Sequence, residues 1–258
     1  MLLPNIGKRI AEKIQEILDT GHLRKNDQEP ESVKILKEFL KVYGVGPKLA
    51  QQFYQEGMRS LDDLRKRDDL THAQKIGLQY ADELQERIPR HEVASITEIV
   101  KRDLYELDPD LIAETLGSYR RGAETCGDID VLVYSKTDKT TLGLMEKIVH
   151  KLKKSIITDV IASSGTTFRG ICRLGSNPHR RLDILITPKS EVGAAQLYFT
   201  GNDVFNRSIR LLAEKKGMIL NQHGLYLLDT KKKVAGATEK DILEALGVPY
   251  RPPEERNT

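Results

Sequence analysis

One stretch of the chain, residues 116–133, constrains the fold more than any other. It reads LGSYRRGAETCGDIDVLV, which predicts a strand end, a Gly-Ser turn, a basic glycine-rich loop and a second strand opening on Asp-Ile-Asp. Successive side chains of a strand point to opposite faces, so Asp128 and Asp130 share one face while Ile129 turns toward the core. Two carboxylates held this close repel each other unless a cation lies between them.

The residues before these aspartates indicate that such a cation would lie beside a bound phosphate group. Carboxylate oxygens with room left for phosphate oxygens suit Mg²⁺ better than zinc. Ser118 and Arg121, together with the backbone amides around Gly117 and Gly127, are placed to hold a polyphosphate beside the ion. The alternative is a tight hairpin whose aspartates only satisfy turn backbone groups. A lone Asp-x-Asp favours that alternative, but the glycine, serine and arginines of the same stretch favour a metal and phosphate site.

Composition limits the classes of partner. Charged residues make up 31% of the 258 residues and the net charge is only +3, so affinity for nucleic acid has to come from local basic patches. No apolar run approaches the roughly 20 residues of a membrane helix, and we expect no membrane partner. Cys126 and Cys172 lie far apart without CxxC spacing, which predicts reduced thiols and no zinc site.

The N-terminal part of the chain contains a short internal repeat. An apolar residue and a glycine open a helical pattern at residues 5–18, and the same arrangement recurs at residues 44–53. Such a repeat predicts two helix-hairpin-helix units, although two ordinary helical hairpins remain the alternative. A glycine turn lets a DNA backbone approach, and helix amides point at its phosphates. The residues expected to contact DNA there are Gly7, Lys8, Gly44, Gly46 and Lys48.

Carbonyl groups in turns of this kind often hold a monovalent cation, and we expect Na⁺ or K⁺ at both hairpins. The carbonyls concerned would be those of Leu3, Ile6, Leu40, Val42 and Val45.

Another acidic residue interrupts an apolar strand. Helical patterns cover residues 57–66, 71–87, 91–107 and 203–217, and strands are predicted at 158–161, 168–174 and 181–186. Asp183 lies in the last of these strands, where a buried carboxylate is costly unless it faces an edge, a partner or a metal. Taken alone it would form an ion pair with Arg180 or Arg181. In one sheet with Asp128 and Asp130, it completes a ligand set for two metal ions.

Three segments, GSYRRGAETCGDIDVLV, HRRLDILI and LYFTGNDVFNRSIR, strongly resemble family X DNA polymerases in register and order. The resemblance runs from about residue 3 to the final YRPPEER. It implies an α+β fold with an N-terminal helical helix-hairpin-helix region, a nucleotidyltransferase palm (mixed β-sheet with helices) and a small α+β C-terminal subdomain. The implied divisions are a lyase-domain remnant with the first hairpin at 1–27, a DNA-binding helical subdomain with the second hairpin at 28–89, the palm at 90–189 and a nucleotide-selecting subdomain at 190–258.

The activity that this resemblance implies is DNA-directed DNA synthesis, with short gaps filled during repair. A nucleotide would pass from a dNTP to a primer 3′-hydroxyl, with release of pyrophosphate and with two Mg²⁺ ions that Mn²⁺ can replace. Asp128 and Asp130 would bind both ions, and Asp183 only the ion beside the 3′-hydroxyl. Gapped or nicked double-stranded DNA and dNTP are the implied partners of a monomer. Repair-protein partners are not indicated.

The resemblance also implies roles for individual residues around the nucleotide. Ser118, Arg121 and the Gly127 amide would hold the β and γ phosphates, next to Gly117. Tyr198 and Phe199 would line the sugar and disfavour a 2′-hydroxyl. The other implied contacts are Gly201 in the nucleotide pocket, Asp203 against the base, Asn206 at its minor-groove edge, Arg181 at the primer terminus and Arg210 on the template strand.

The remaining predictions concern lyase activity, two alternative functions and the cellular location. Lys13 matches the family lysine that forms a Schiff base with a 5′-deoxyribose phosphate. The helices that precede the hairpin in the family are absent from this sequence, so no apolar pocket is visible around this lysine and we expect little or no lyase activity. The alternative functions are template-independent nucleotidyl transfer on the same palm and a catalytically silent DNA-binding scaffold. The expected location is the nucleus in a eukaryote and otherwise the cytoplasm.

Overall fold

The computed structural model describes residues 6–23, 30–137 and 142–257. These residues form two compact units that divide between Leu78 and Gln79. The first unit is helical. Its helices are α1 (Lys8–Thr20), α2 (Glu31–Leu40), α3 (Pro47–Gln55), α4 (Leu61–Arg65) and α5 (His72–Gln79), the last of which ends at the boundary. Leu3 lies outside the described residues.

Two helices of the first unit begin directly after a glycine. Gly7 precedes α1 and Gly46 precedes α3, each with an extended backbone of ψ 159° and 174°. Pro47 occupies the first position of α3, where its missing N–H leaves no helical hydrogen bond unmade. α1 ends at Gly21, whose φ of 76° lies in the left-handed region that glycine adopts at low cost. The predicted openings of both repeat helices are therefore confirmed.

The second glycine turn is supported on one side by its own unit, while Gly44 and Gly46 are exposed. α2 and α3 pack through Phe39 and Phe53, whose ring centroids are 6.2 Å apart at 85°. α5 passes so close to the turn that a Cβ on Gly77 would lie 2.6 Å from the carbonyl oxygen of Tyr43. The side-chain amide of Gln74 donates to the Gly44 carbonyl at 3.2 Å. These contacts hold the turn in a single conformation.

The second unit combines a mixed sheet with helices. Its elements are β1 (Ile88–Pro89), α6 (Arg90–Leu107), β2 (Leu111–Thr115), α7 (Gly117–Arg120), β3 (Thr125–Cys126), β4 (Ile129–Ser135), α8 (Leu144–Leu152), β5 (Ile157–Ser163), β6 (Thr167–Cys172), β7 (Arg180–Ile186), α9 (Val192–Thr200), α10 (Asp203–Lys215), β8 (Met218–Asn221), β9 (Gly224–Leu227), β10 (Lys233–Ala235) and α11 (Glu239–Ala245). Short 3₁₀ turns occupy Glu83–Gln85, Lys189–Glu191 and Pro253–Glu255.

The central sheet has the strand order β2-β4-β7-β6-β5, with β4 and β7 parallel and the other neighbours antiparallel. Alternate residues of β4 and β7 enter two different cores. One face packs under α6 and α8 and buries Ile129, Leu182 and Ile184. The other face buries Leu132 and Leu185 against α9. The strand period of two residues thus sets which side chains can face a ligand.

A smaller C-terminal subdomain follows the central sheet. β8, β9 and β10 form an antiparallel sheet that shares a core with α9, α10 and α11. The Asn202 side chain caps α10 by accepting from the backbone amide of Phe205 at 2.9 Å. A Cβ on Gly193 would lie 2.1 Å from the carbonyl carbon of Thr238. Glycine is therefore required where α9 meets the start of α11.

The predicted α+β class is confirmed, and so are the strands at 158–161, 168–174 and 181–186 and the helices at 91–107 and 203–217, within a few residues. The helix predicted at 71–87 is wrong beyond Gln79. Tyr80 is buried and its hydroxyl donates to Asp159 at 2.6 Å, while Glu83 accepts from the backbone amide of His179 at 2.6 Å. These tertiary contacts outweigh the helical pattern. The helix predicted at 57–66 is shorter, because Ser60 caps it.

The two cysteines form no disulfide, as expected, and both are buried. Burial, with a further effect from the charge of Glu92, raises the pKa of the Cys172 thiol to about 12. In the described parts of the chain, no helix is both long and apolar enough to cross a bilayer.

A buried ion pair between Glu92 and Arg180 generates the first prediction. The carboxylate accepts two hydrogen bonds, at 2.9 and 3.0 Å, and each side chain is less than 5% exposed. Glu92→Ala leaves the guanidinium buried without its partner, so we expect a loss of about 3–5 kcal/mol in the free energy of unfolding. Urea unfolding measures this loss, with the reactivity of the buried Cys172 thiol as the signal that reports unfolding.

Two controls accompany this measurement. The double variant Glu92→Leu with Arg180→Met removes both charges and is expected to lose far less stability than Glu92→Ala. Glu98→Ala removes an exposed partner of Lys101, 2.8 Å away, and is expected to change stability by about 0.5 kcal/mol or less. Equal losses for Glu98→Ala and Glu92→Ala would contradict the prediction.

Candidate active site

The parallel pairing of β4 and β7 brings two of the predicted acids together. Asp130 lies directly opposite Asp183 in the register of these strands. Their side chains point away from the face that packs under α6 and α8, because Ile129, Leu182 and Ile184 occupy that face. Asp128 precedes β4 by one residue and lies near the other two. The structure therefore places the three predicted acids at one end of one sheet face.

Arg181 links two of these carboxylates. Its Nη2 atom lies 2.9 Å from Asp183 Oδ2 and 3.2 Å from Asp128 Oδ2. Asp183 keeps 18% of its side chain exposed and Asp128 keeps 37%. The acids are thus partly covered by an arginine and still open to solvent.

Burial and mutual repulsion perturb the acids. Burial, followed by the negative charges of Asp128 and Asp183, raises the pKa of Asp130 to about 8. Burial also raises the pKa of Asp183, against the lowering influence of Arg181 and of Arg169. A group of acids that resists ionisation in this way is stabilised by added positive charge.

The donor set fits a divalent cation. No group of three or more His, Cys, Asp or Glu side chains in the described residues has a ready metal-holding arrangement, and Arg181 contacts both Asp128 and Asp183. Asp183 Oδ1 is nevertheless buried and has no hydrogen-bond partner among the described residues. An orphaned carboxylate oxygen beside two further carboxylates is suited to a hard cation with oxygen ligands.

Glycine is required next to Asp130. The predicted Gly-Ser turn is the start of a short helix, α7, and the predicted glycine-rich loop follows it. Gly117 has φ 59°, and a Cβ there would lie 2.5 Å from Asp130 Oδ2. The backbone amide of Leu116 also donates to the Asp130 carbonyl at 2.8 Å. The turn therefore supports the carboxylate of Asp130 directly.

The predicted phosphate-binding residues follow in the same segment. Ser118 lies in α7, where its carbonyl accepts from the Ala123 amide at 3.1 Å. Arg121 donates to the Thr200 carbonyl and, at 2.9 Å, to the side chain of Asn257. These contacts hold the Arg121 guanidinium near the C-terminal subdomain.

Arg87 was not predicted as a site residue. Its guanidinium donates to the hydroxyl and carbonyl of Thr125, and its Nη1 atom would lie 3.2 Å from a Cβ on Gly127. It is exposed, so it adds a positive charge beside the predicted phosphate loop. In the sequence it stands at the end of a helical pattern, and only the pairing of β1 with β3 brings it to this loop.

A buried polar network supports the turn from the other side. Arg120 donates twice to Glu239, both at 2.9 Å, and once to the Thr200 hydroxyl at 2.7 Å. Arg256 is fully buried and donates to Glu239 at 2.8 Å. Burial alone would raise the pKa of Glu239, but the hydrogen bonds from Arg120 and Arg256 outweigh it and lower the pKa. Residues far apart in the chain thus hold α7 in place.

The predicted nucleotide-selecting residues lie together on α9 and α10. The rings of Tyr198 and Phe199 contact edge to face, with centroids 4.9 Å apart. The amide of Asn206 donates to the Tyr198 carbonyl at 2.6 Å, and the Arg210 guanidinium lies 4.8 Å from the Tyr198 ring centroid. Gly201 lies between Arg121 and Asn206. At the start of α10, Asp203 forms an exposed ion pair with Arg207 at 2.5 Å.

The predicted DNA contacts of the first unit are exposed. This holds for Gly7, Lys8, Gly44, Gly46 and Lys48. The Val42 carbonyl, expected at the cation site, accepts from the Val45 amide at 3.0 Å. Leu40 is exposed and Ile6 partly so. Lys13 is exposed on α1, and among the described residues no side chain of that helix is buried.

Three family models match the chain. A model described as the DNA polymerase beta palm matches residues 87–189, and one described as the DNA polymerase beta thumb matches residues 195–257. A model described as the fingers domain of DNA polymerase lambda matches residues 37–85.

Full-length relatives give the same result. The chain is 40% identical over 273 residues to DNA polymerase lambda of Rattus norvegicus, an alignment that covers 99% of this chain and 48% of that protein. It is 38% identical over 279 residues to DNA polymerase lambda of Arabidopsis thaliana, with coverage of 99% and 53%. The chain spans about half the length of the curated relatives it matches.

The electrostatics of the acids generate a second prediction. Asp128→Asn removes one of the negative charges beside Asp130, so we expect the pKa of Asp130 to fall below its value of about 8. A ¹³C NMR titration of the side-chain carboxyl carbons, in buffer without divalent ions, measures the change. The exposed Asp229→Asn is the control and is expected to leave this pKa unchanged.

The same shift predicts a pH dependence of stability. The pKa of Asp130 in the folded chain lies above the ordinary value of 3.8. Protonation of Asp130 therefore stabilises the folded state at low pH, and this contribution is lost as the pH rises through about 8. As the pH rises from 3.8 to about 8, we expect the free energy of unfolding to fall less in Asp128→Asn than in the unsubstituted chain. An unchanged pKa of Asp130 in Asp128→Asn would show that the charge of Asp128 does not raise this pKa.

Proposed function

This chain belongs to the family X DNA polymerases, and on that premise we propose that it is a DNA-directed DNA polymerase that fills short gaps during repair. The observation that carries the proposal is the row formed by Asp130 and Asp183, with Asp128 beside it and the Gly117 turn against it. Acids, a glycine turn and nearby arginines at one end of a sheet suit phosphoryl transfer to a hydroxyl.

Family X polymerases use divalent cations, and for this chain we propose two Mg²⁺ ions, which Mn²⁺ can replace. Asp128, Asp130 and Asp183 would hold them. When bound, such ions lower the pKa of a primer 3′-hydroxyl and neutralise charge on the triphosphate. The orphaned oxygen of Asp183 and the raised pKa of Asp130 support this assignment.

The arginines beside the acids orient the substrates. We propose that Ser118, Arg121 and the Gly127 amide bind the β and γ phosphates of the dNTP, with Arg87 close to the same loop. Guanidinium groups and backbone amides favour phosphate oxygens. Arg181, held by Asp128 and Asp183, would lie at the primer terminus.

Discrimination between sugars would come from α9. Tyr198 and Phe199 are proposed to line the deoxyribose, and the Tyr198 carbonyl is held by the Asn206 amide at 2.6 Å. A carbonyl fixed beside the deoxyribose would clash with a 2′-hydroxyl. Asp203 would contact the base, Asn206 its minor-groove edge and Arg210 the template strand.

Gapped or nicked DNA and dNTP are the proposed substrates. The exposed glycine turns and Lys8 and Lys48 would bind the DNA backbone, with Na⁺ or K⁺ at the turn carbonyls. Such contacts position a duplex and weaken steeply with salt. We further propose that the protein acts as a monomer and, in a eukaryotic cell, in the nucleus.

A third prediction tests the proposed activity. Asp183→Asn keeps the shape of the side chain and removes a charge that the proposed cations need. We expect insertion into a single-nucleotide gap to slow by roughly a thousandfold or more, since several kcal/mol of transition-state stabilisation are lost. Single-turnover primer extension measures the rate, with Asp229→Asn as the control.

Binding of gapped DNA is measured in parallel by fluorescence anisotropy, so that a folding defect is separated from a loss of chemistry. Full gap-filling activity in Asp183→Asn, with DNA bound normally, would show the proposed active site to be wrong. Primer extension without a template would show template-independent transfer instead.

A fourth prediction concerns lyase activity. A lysine that forms a Schiff base is activated by an apolar pocket or by a neighbouring cation, and Lys13 is exposed on a helix that buries no side chain among the described residues. We expect borohydride treatment with a 5′-deoxyribose phosphate substrate to trap little covalent complex. Efficient trapping that Lys13→Ala abolishes would contradict this expectation.

A further inference from the structure

The proposed function leaves one exposed arginine of the central sheet without a role. Arg169 lies on β6 directly opposite Asp183 of β7, and Asp183 lies opposite Asp130 of β4. Directly opposed residues of neighbouring strands place their side chains on the same face of a sheet. Arg169 therefore extends the row of Asp130 and Asp183 by one strand.

Local packing keeps the Arg169 side chain in solvent. Its neighbours along β6, Phe168 and Gly170, are buried on the opposite side of the sheet, whereas Arg169 is exposed. On the face that carries Arg169, α9 covers Leu132 and Leu185, farther along the strands. Ile171, two residues along β6 on the same face, is buried, whereas Ala162 and Thr167 beside Arg169 are exposed. The face is therefore open at Arg169 and on its Thr167 side.

The two arginines of this face differ in how their charges are paired. Arg181 is bonded to both Asp128 and Asp183. Across residues 6–23, 30–137 and 142–257, Arg169 forms no ion pair with any carboxylate. Its guanidinium is thus available to an anion that approaches the sheet from solvent.

The hairpin beside Arg169 suits the same kind of ligand. Residues 163–168 read SSGTTF and contain no acid, and Ser164, Thr166 and Thr167 are exposed. Arginine guanidinium and serine or threonine hydroxyl groups are common partners of nucleic-acid phosphate oxygens. The Ser164 and Thr167 hydroxyls lie 2.7 Å apart and share one hydrogen bond. Together with Thr166 and Arg169 they form a surface with positive charge and hydroxyl groups.

We propose that Arg169, with the hydroxyls of Ser164, Thr166 and Thr167, binds backbone phosphates of the primer strand close to its 3′ end. The proposal rests on the proposed function, which brings the primer 3′-hydroxyl to Asp183. Neighbouring strands lie about 4.8 Å apart, and successive phosphates of one DNA strand rise about 3.4 Å. A primer that ends at Asp183 and runs across β6 would therefore carry phosphates within reach of Arg169.

The first test measures DNA binding directly. Fluorescence anisotropy with gapped DNA, without dNTP or divalent ions, gives the Kd over a series of salt concentrations. We expect Arg169→Gln to raise the Kd by roughly threefold to tenfold and to reduce the slope of log Kd against log salt by about 0.9. Arg169→Lys keeps the charge and is expected to retain the slope. The control Lys147→Gln removes an exposed charge from α8, which packs on the opposite face, and is expected to leave both values unchanged.

The second test locates the contact on the primer. Neutral methylphosphonate linkages replace the primer phosphates next to the 3′ end, one at a time. We expect one replacement to weaken binding by the unsubstituted protein and to have no further effect on Arg169→Gln. Equal effects on both proteins at every linkage, or an unchanged salt slope in Arg169→Gln, would overturn the proposal.

Failure of the unsubstituted protein to extend a primer would count against the proposed function, while the binding comparison would still decide the role of Arg169.

Discussion

The structure of the candidate active site depends on the parallel pairing of β4 and β7. This pairing sets Asp130 against Asp183 across one strand spacing, and the strand period directs both side chains away from the main core. Burial and repulsion between the acids oppose ionisation. Arg181 compensates part of that cost through its contacts with Asp128 and Asp183. The site is thus assembled in advance, and added positive charge would relieve the repulsion between its carboxylates.

The elements around the acids hold them with little freedom. Gly117 approaches the Asp130 carboxylate more closely than any side chain would allow. The helix that begins at Gly117 is tied to the C-terminal subdomain by the hydrogen bonds between Arg120 and Glu239. Buried charge pairs of this kind specify one arrangement of neighbouring elements, because each alternative leaves a charge without its partner. The Gly117 turn and the C-terminal subdomain are therefore held in a common framework.

Sequence reasoning reached the features that follow from local periodicity. It placed Asp128 and Asp130 on one face and Asp183 in the same sheet, because alternation along a strand is visible in the residues. Arg87 was not predicted as a site residue, since only the pairing of β1 with β3 brings it to the loop that contains Gly127. The helix predicted at 71–87 failed for a related reason, because Tyr80 contacts Asp159 from a distant strand. Register and long-range contacts carry no local signal, and they decide these positions.

The burial of Arg256 bears on the order in which the protein forms during synthesis. Arg256 is fully buried and supplies a hydrogen bond to Glu239, which in turn holds Arg120 beside the Gly117 turn. Arg256 is synthesised after every strand of the central sheet. This polar network therefore cannot be complete until long after the strands that carry the acids have been made.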